Sequence, residues 1–134
     1  MFALTRYETK VIMEGKASGC ARKYDNCPHA VGAEIVLTSK FLDQSGRSIP
    51  FAKATVVSIR PGTVQQFKAD PMIAEMDGYP NASVWAGQMR VMYGTLKDTD
   101  KITHIKFRIT ELDRDAGTRP DEEQESVREK SSID

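Results

Sequence analysis

The spacing of apolar and polar positions changes several times along the chain, and each change marks an element. Phe2-Ala3-Leu4 is a short apolar run that predicts an opening strand. Thr5-Arg6-Tyr7-Glu8 matches a capping box, in which the Thr5 hydroxyl accepts from the Glu8 amide while the Glu8 carboxylate accepts from the Thr5 amide. The helix that follows places Tyr7 and Val11 on one face and stops at Gly15. From there to Arg22 the pattern is that of a short extended run, with Cys20 and Arg22 on the same face.

Residues 23–32 are polar, with a proline and a glycine, and read as a loop. Two stretches rich in branched residues, 34–41 and 52–59, read as strands. Asp43-Gln44-Ser45-Gly46-Arg47 between them is turn chemistry, which makes the pair a hairpin. Arg60-Pro61-Gly62-Thr63 closes the second strand. Thr63 caps a short helix through Lys68, which Pro71 interrupts, and 72–76 forms a further turn. Asn81 or Ser83 caps the next helix, where Trp85, Met89 and Met92 form a core-facing stripe that ends at Gly94. Residues 99–111 alternate, with Ile105, Phe107 and Ile109 against Lys106 and Arg108, and predict a half-buried strand. No βαβ repetition appears, so a doubly wound parallel sheet is not expected. The order fits an α+β fold, a small mixed sheet curled into a partial barrel with flanking helices.

At 134 residues the chain is sized for one domain, with ordinary hydrophobic and charged fractions of 40% and 28%. No apolar run approaches a membrane span and the first residues do not resemble a signal peptide, so the expected location is the cytoplasm. The zero net charge hides an asymmetry. Residues 113–134 hold four basic and eight acidic residues, leaving fifteen basic and eleven acidic in 1–112. The body is thus mildly basic and compatible with a polyanionic ligand. The tail has almost no large apolar residue and is expected to be disordered, or at most loosely helical from Asp121 to Lys130, either competing with ligand for a basic groove or binding a protein partner.

Cys20, Cys27 and His29, with His104 more distant, invite a metal reading, but the spacing is not one that structural zinc sites favour. No metal or other cofactor is expected. Without an export signal the two thiols should be free, although the spacing alone also allows a Cys20 to Cys27 bridge.

The stretch Gly15-Lys16-Ala17-Ser18-Gly19-Cys20-Ala21-Arg22 is similar to the G-x-K-x-x-T-x-R signature of ASCH domains, of the PUA-like superfamily. Val31-Gly32-Ala33-Glu34-Ile35, Asp77-Gly78-Tyr79 and Met92-Tyr93-Gly94 resemble further family segments in the expected order. The resemblance covers the body, residues 1–112, and implies a PUA-like partial β-barrel associated with RNA and modified nucleobases. One bacterial branch resembles an amidohydrolase acting on N4-acetylcytidine. Carried across by position, that branch's lysine falls on Ala17, its hydroxyl nucleophile on Cys20 and its acid on Asp77. The motif here is thus a degenerate form. Lys16, adjacent to the missing lysine, lies ~13 Å from Cys20 along an extended chain, beyond contact unless the glycines bend it back. Arg22 matches its family position but cannot accept a proton. His29 is the one nearby residue in sequence able to act as a base near neutral pH.

Three readings follow. One is a binding module for RNA or a modified nucleoside, with Lys16 and Arg22 holding phosphate or a base edge and Tyr24 or Tyr79 stacking on a ring. Another is a cysteine-dependent amidohydrolase with Cys20 as nucleophile and Asp77 as proton donor or orienter. The third is a catalytically decayed regulatory protein that acts through its tail. The sequence carries no signal for an oligomeric state.

Overall fold

The computed structural model describes residues 2–24 and 26–116; the acidic tail beyond 116 lies outside the described residues. Among the described residues nine elements follow one another: β1 (Phe2–Leu4), α1 (Arg6–Met13), β2 (Gly19–Arg22), β3 (Glu34–Ser39), β4 (Ile49–Thr63), α2 (Val64–Lys68), α3 (Pro71–Met76), α4 (Ala82–Tyr93) and β5 (Lys101–Leu112). The five strands form one sheet in the order β1-β3-β4-β5-β2. β1 runs parallel to β3 and every other neighbour is antiparallel, so the sheet is mixed as expected. Register shifts at Leu37/Thr38, Lys53/Ala54 and Val56/Ser58 bend the strands, curling the sheet into a half-barrel.

Local chemistry explains the helix boundaries. Both capping boxes are complete, Thr5 with Glu8 and Thr63 with Gln66. Asp70 caps α3 with Pro71 in its first turn, and Asn81 caps α4. β4 is longer than its sequence pattern suggests and runs through Pro61 and Gly62. Its ladder with β3 ends at Thr55, so the proline lies where β4 is bonded in register to β5 alone. There a missing N–H costs no ladder bond on the open side.

Two apolar clusters lie on the two faces of the sheet. The inner one fills the half-barrel with Phe2, Ile35, Leu37, Val56, Ile105 and Phe107, and it includes Cys20. The outer one lies under α2, α3 and α4 and contains Ala21, Phe67, Ile73, Trp85, Met89 and Ile102. The strand from β2 therefore divides its residues between the clusters by simple alternation. After β5 the chain stays on the body through Ala116, which is buried against the inner cluster. No helix among the described residues is long and apolar enough to cross a membrane.

Candidate functional site

β2 carries the motif, and its alternation decides what each motif residue touches. Gly19 faces the outer side, where a Cβ would come within 2.9 Å of Asp77 Oδ1 and His104 Cε1. Only a hydrogen fits between β2 and that pair. Cys20 faces the other way, into the inner cluster, and is 1% exposed. Burial pushes its thiol well above the ordinary cysteine range, with the Arg22 charge only partly offsetting it. Ala17 packs against the same inner cluster. Lys16 does not reach inward: its side chain is 68% exposed and lies 3.4 Å from the Glu14 carboxylate.

Arg22 is locked in place. Its Nη1 donates to Glu8 Oε2 at 2.7 Å and to the Ala21 carbonyl at 2.9 Å; its Nη2 donates to Glu8 Oε1 at 2.7 Å and to the Ala3 carbonyl at 2.9 Å. The guanidinium also lies 4.9 Å above the Phe2 ring centre. Burial by itself would lower its pKa, but the Glu8 carboxylate outweighs that and holds the charge more firmly than usual. Since Ala3 belongs to β1 and Arg22 to β2, this side chain joins the two edges of the half-barrel. A fork of charge-assisted bonds replaces the missing ladder there. Glu8 serves twice, since the oxygen that takes Arg22 Nη2 also accepts from the Thr5 amide at 2.9 Å.

Asp77 lies on the opposite face of β2 from Cys20. Its Oδ1 is 2.7 Å from His104 Nε2, and its Oδ2 accepts from the Trp85 indole at 2.9 Å. Asp77 and His104 are both 3% exposed. Burial pushes the Asp77 carboxyl up, opposed by the His104 and Trp85 contacts. The motif's thiol and acid are thus separated by the strand. Tyr79 stacks on Tyr7 with ring centres 4.7 Å apart and planes at 12°, and the Tyr7 hydroxyl donates to the Gly78 carbonyl at 2.6 Å. Tyr79 is 9% exposed, and its phenol is pushed up by burial. Gly78, at φ +83, closes this turn where a Cβ would lie 2.9 Å from Val11.

The open surface lies next to the motif, along the loop that follows β2. A cleft of about 760 Å³ opens between the two sheet edges, lined by Phe2, Arg22, Tyr24, His29 and Glu34 among others. His29 packs against Phe2 at 5.2 Å and edge-on to Tyr24 at 6.1 Å. Burial, helped by the N-terminal charge, holds its pKa below the usual histidine value. Tyr24 lines a second cleft as well, of about 610 Å³, with Asn26, Cys27, Thr63, Gln66 and Lys101. Both volumes fall in the ~300–1,000 Å³ range of ligand sites.

Of the residues singled out in the sequence, then, Arg22 and Tyr24 share a cleft. Lys16 borders a separate depression with Lys106 and Glu75, and Tyr79 another with Lys68 and Pro80. Lys16 and Arg22 therefore form no common basic groove. Both cysteines are free, and among the described residues no group of three His, Cys, Asp or Glu side chains is placed to hold a metal. The sequence marks Glu8 only as a cap and His29 as a base, a loop residue or a metal-ligand candidate. The spacing of neither betrays its partner, because Arg22 is fourteen residues from Glu8 and Phe2 meets His29 across the cleft.

No family model and no curated protein matches the chain. Solved structures do resemble it. A DUF984-family protein of Enterococcus faecalis aligns with a TM-score of 0.59 at 12% identity, over 88% of this chain and 72% of the other. The ASCH protein of Zymomonas mobilis gives 0.55 at 19% identity, over 89% and 77%. The ASCH domain of Lactobacillus crispatus gives 0.51 at 11% identity, over 81% and 79%. The mixed half-barrel with flanking helices is thus the fold that these solved ASCH structures share with this chain.

Proposed function

We propose that this chain is a binding module for RNA or a modified nucleoside, and that the ligand enters the cleft between β1 and β2. The observation that carries this reading is the cleft's lining. Tyr24 and His29 present ring surface at a half-open site, and Glu34 lies at its wall. An aromatic wall with few fixed polar groups suits a base stacked on a ring and read along one edge. Arg22 acts as the frame of the cleft: its four Nη donor positions are already taken by protein oxygens.

Hydrolysis by Cys20 has less support. A nucleophilic thiol needs to ionise and to meet its substrate, whereas this one is buried among apolar side chains and held protonated. Where the amidohydrolase branch has a lysine, this chain has Ala17. Binding of a labelled single-stranded oligoribonucleotide, cytidine and N4-acetylcytidine, followed by anisotropy and calorimetry, tests the reading. Tyr24→Ala should weaken binding ~5- to 150-fold, the worth of one stacked base, and Cys20→Ala should leave it unchanged. Absence of binding to every compound, or conversion of N4-acetylcytidine that disappears in Cys20→Ala, would overturn it.

A further inference from the structure

The two clefts adjoin, and Tyr24 stands between them. The first, between the sheet edges, is the site proposed above. The second is bounded by the far end of β4, the start of β5 and the loop residues Asn26 and Cys27. Its character differs. The first cleft's charged lining residues are Arg22, spent on Glu8, and the acidic Glu34. The second has Lys101, exposed and in no ion pair among the described residues, beside the polar groups of Asn26, Thr63 and Thr103. A nucleoside has no phosphate and so brings no charge for Lys101 to meet.

From this juxtaposition we infer that the second cleft takes a neighbouring nucleotide, so that the ligand is a single-stranded oligonucleotide and not a free nucleoside. The inference rests on the proposed binding reading. Tyr24 is the ridge over which the strand passes, one base on each side. Lys101 supplies the positive charge for a phosphate of the second nucleotide. The arrangement gives a role to the remaining surface of Tyr24, a half-buried side chain that packs against the inner cluster and edge-on to His29 and borders both spaces. It also gives a role to the exposed Lys101 in the lining of the second cleft.

The experiment compares cytidine, the dinucleoside monophosphate of cytidine and a tetracytidylate on the full chain and on Lys101→Ala and Asn26→Ala variants. A deoxy dinucleotide arm distinguishes RNA from DNA. The dinucleotide should bind at least tenfold tighter than cytidine, and both variants should reduce that gain while leaving cytidine affinity unchanged. The unchanged cytidine affinity also shows that the variants fold. For tetracytidylate, Lys101→Ala should lower the slope of log affinity against log salt by ~0.7, the loss of one phosphate contact on a single strand. Equal affinity for cytidine and dinucleotide would overturn the inference and leave the first site standing. A dinucleotide gain untouched by both variants would also overturn it, by placing the second nucleotide elsewhere. Failure of every compound to bind would instead overturn the binding reading on which it rests.

Discussion

The motif strand and the loop that follows it are neighbours in sequence with opposite uses of their side chains. Along β2 the polar or reactive groups are consumed within the fold: Arg22 by Glu8 and two carbonyls, the space at Gly19 by Asp77 and His104, the Cys20 thiol by the apolar core. Along the loop, Tyr24 keeps part of its surface for both clefts and His29 part of its surface for the first. The difference teaches that adjacent stretches of one chain can divide the work, one holding the fold together and the other keeping side-chain surface open. Arg22 joins the two edges of the half-barrel, and Ala17, earlier in the same stretch, packs as a methyl group against the inner core.

Breaking the motif side should have the largest effect. Removing one partner of a buried, fully bonded ion pair strands the other charge, so Glu8→Ala or Arg22→Ala should cost ~3–5 kcal/mol in a denaturant titration. The double change Glu8→Leu with Arg22→Met should recover much of that loss. If instead Arg22→Ala unfolds at the wild-type midpoint, the pair does not hold the sheet edges.

Gly19→Ala comes next, at ~1–3 kcal/mol, because its Cβ would also meet the Ile105 carbonyl at 3.0 Å and backbone yields less readily than a side chain. Thermal unfolding of this variant tests whether the Asp77 and His104 pair is wedged against β2. On the loop side, Tyr24→Ala gives up only a half-buried contact with the inner cluster, so it should shift the denaturation midpoint less than these changes while weakening ligand binding.

How far these contrasts could be read beforehand follows from the range of each interaction. Helix caps are local, and Thr5, Thr63 and Asn81 were legible as such. So were the β3 to β4 hairpin, the core stripe of α4 and the order of elements, which together give the half-barrel. The alternation of Cys20 and Arg22 was legible too. What lies on each side of that alternation was not, because it depends on β2 pairing with β5, which sets Ala21 opposite His104 and Cys20 opposite Ile105. Asp77 reaches His104 across 27 residues, and no spacing signals that contact. The extension of β4 through Pro61 was hidden for a similar reason: a proline in a strand is tolerated only where one neighbour is absent.

The thiols sharpen the same comparison at smaller scale. Under iodoacetamide, Cys27, half-buried at the second cleft, should be carboxamidomethylated in the native protein, and Cys20 only at the rate of unfolding. Peptide mass mapping over time distinguishes the two; labelling of both at one rate would contradict the burial of Cys20. The pH dependence carries a sign as well. The Cys20 thiol has a folded pKa above the ordinary 9.0, so above that pH the unfolded chain releases its proton first and stability falls. His29 has a folded pKa below 6.5, so the unfolded chain binds its proton first as pH falls through that value, and stability declines on the acid side. Replacing His29 by Gln should flatten the acid limb of a stability profile slightly, the smallest effect expected here.

The central claim is that β2 builds the site and the loop after it binds. It is tested most directly by titrating one labelled single-stranded oligoribonucleotide into the wild-type protein, Cys20→Ala and Tyr24→Ala under identical salt. The account predicts equal affinity for the first two and a loss of tenfold or more for the third. An affinity that falls in Cys20→Ala and holds in Tyr24→Ala would contradict it and move the functional centre back into the motif strand.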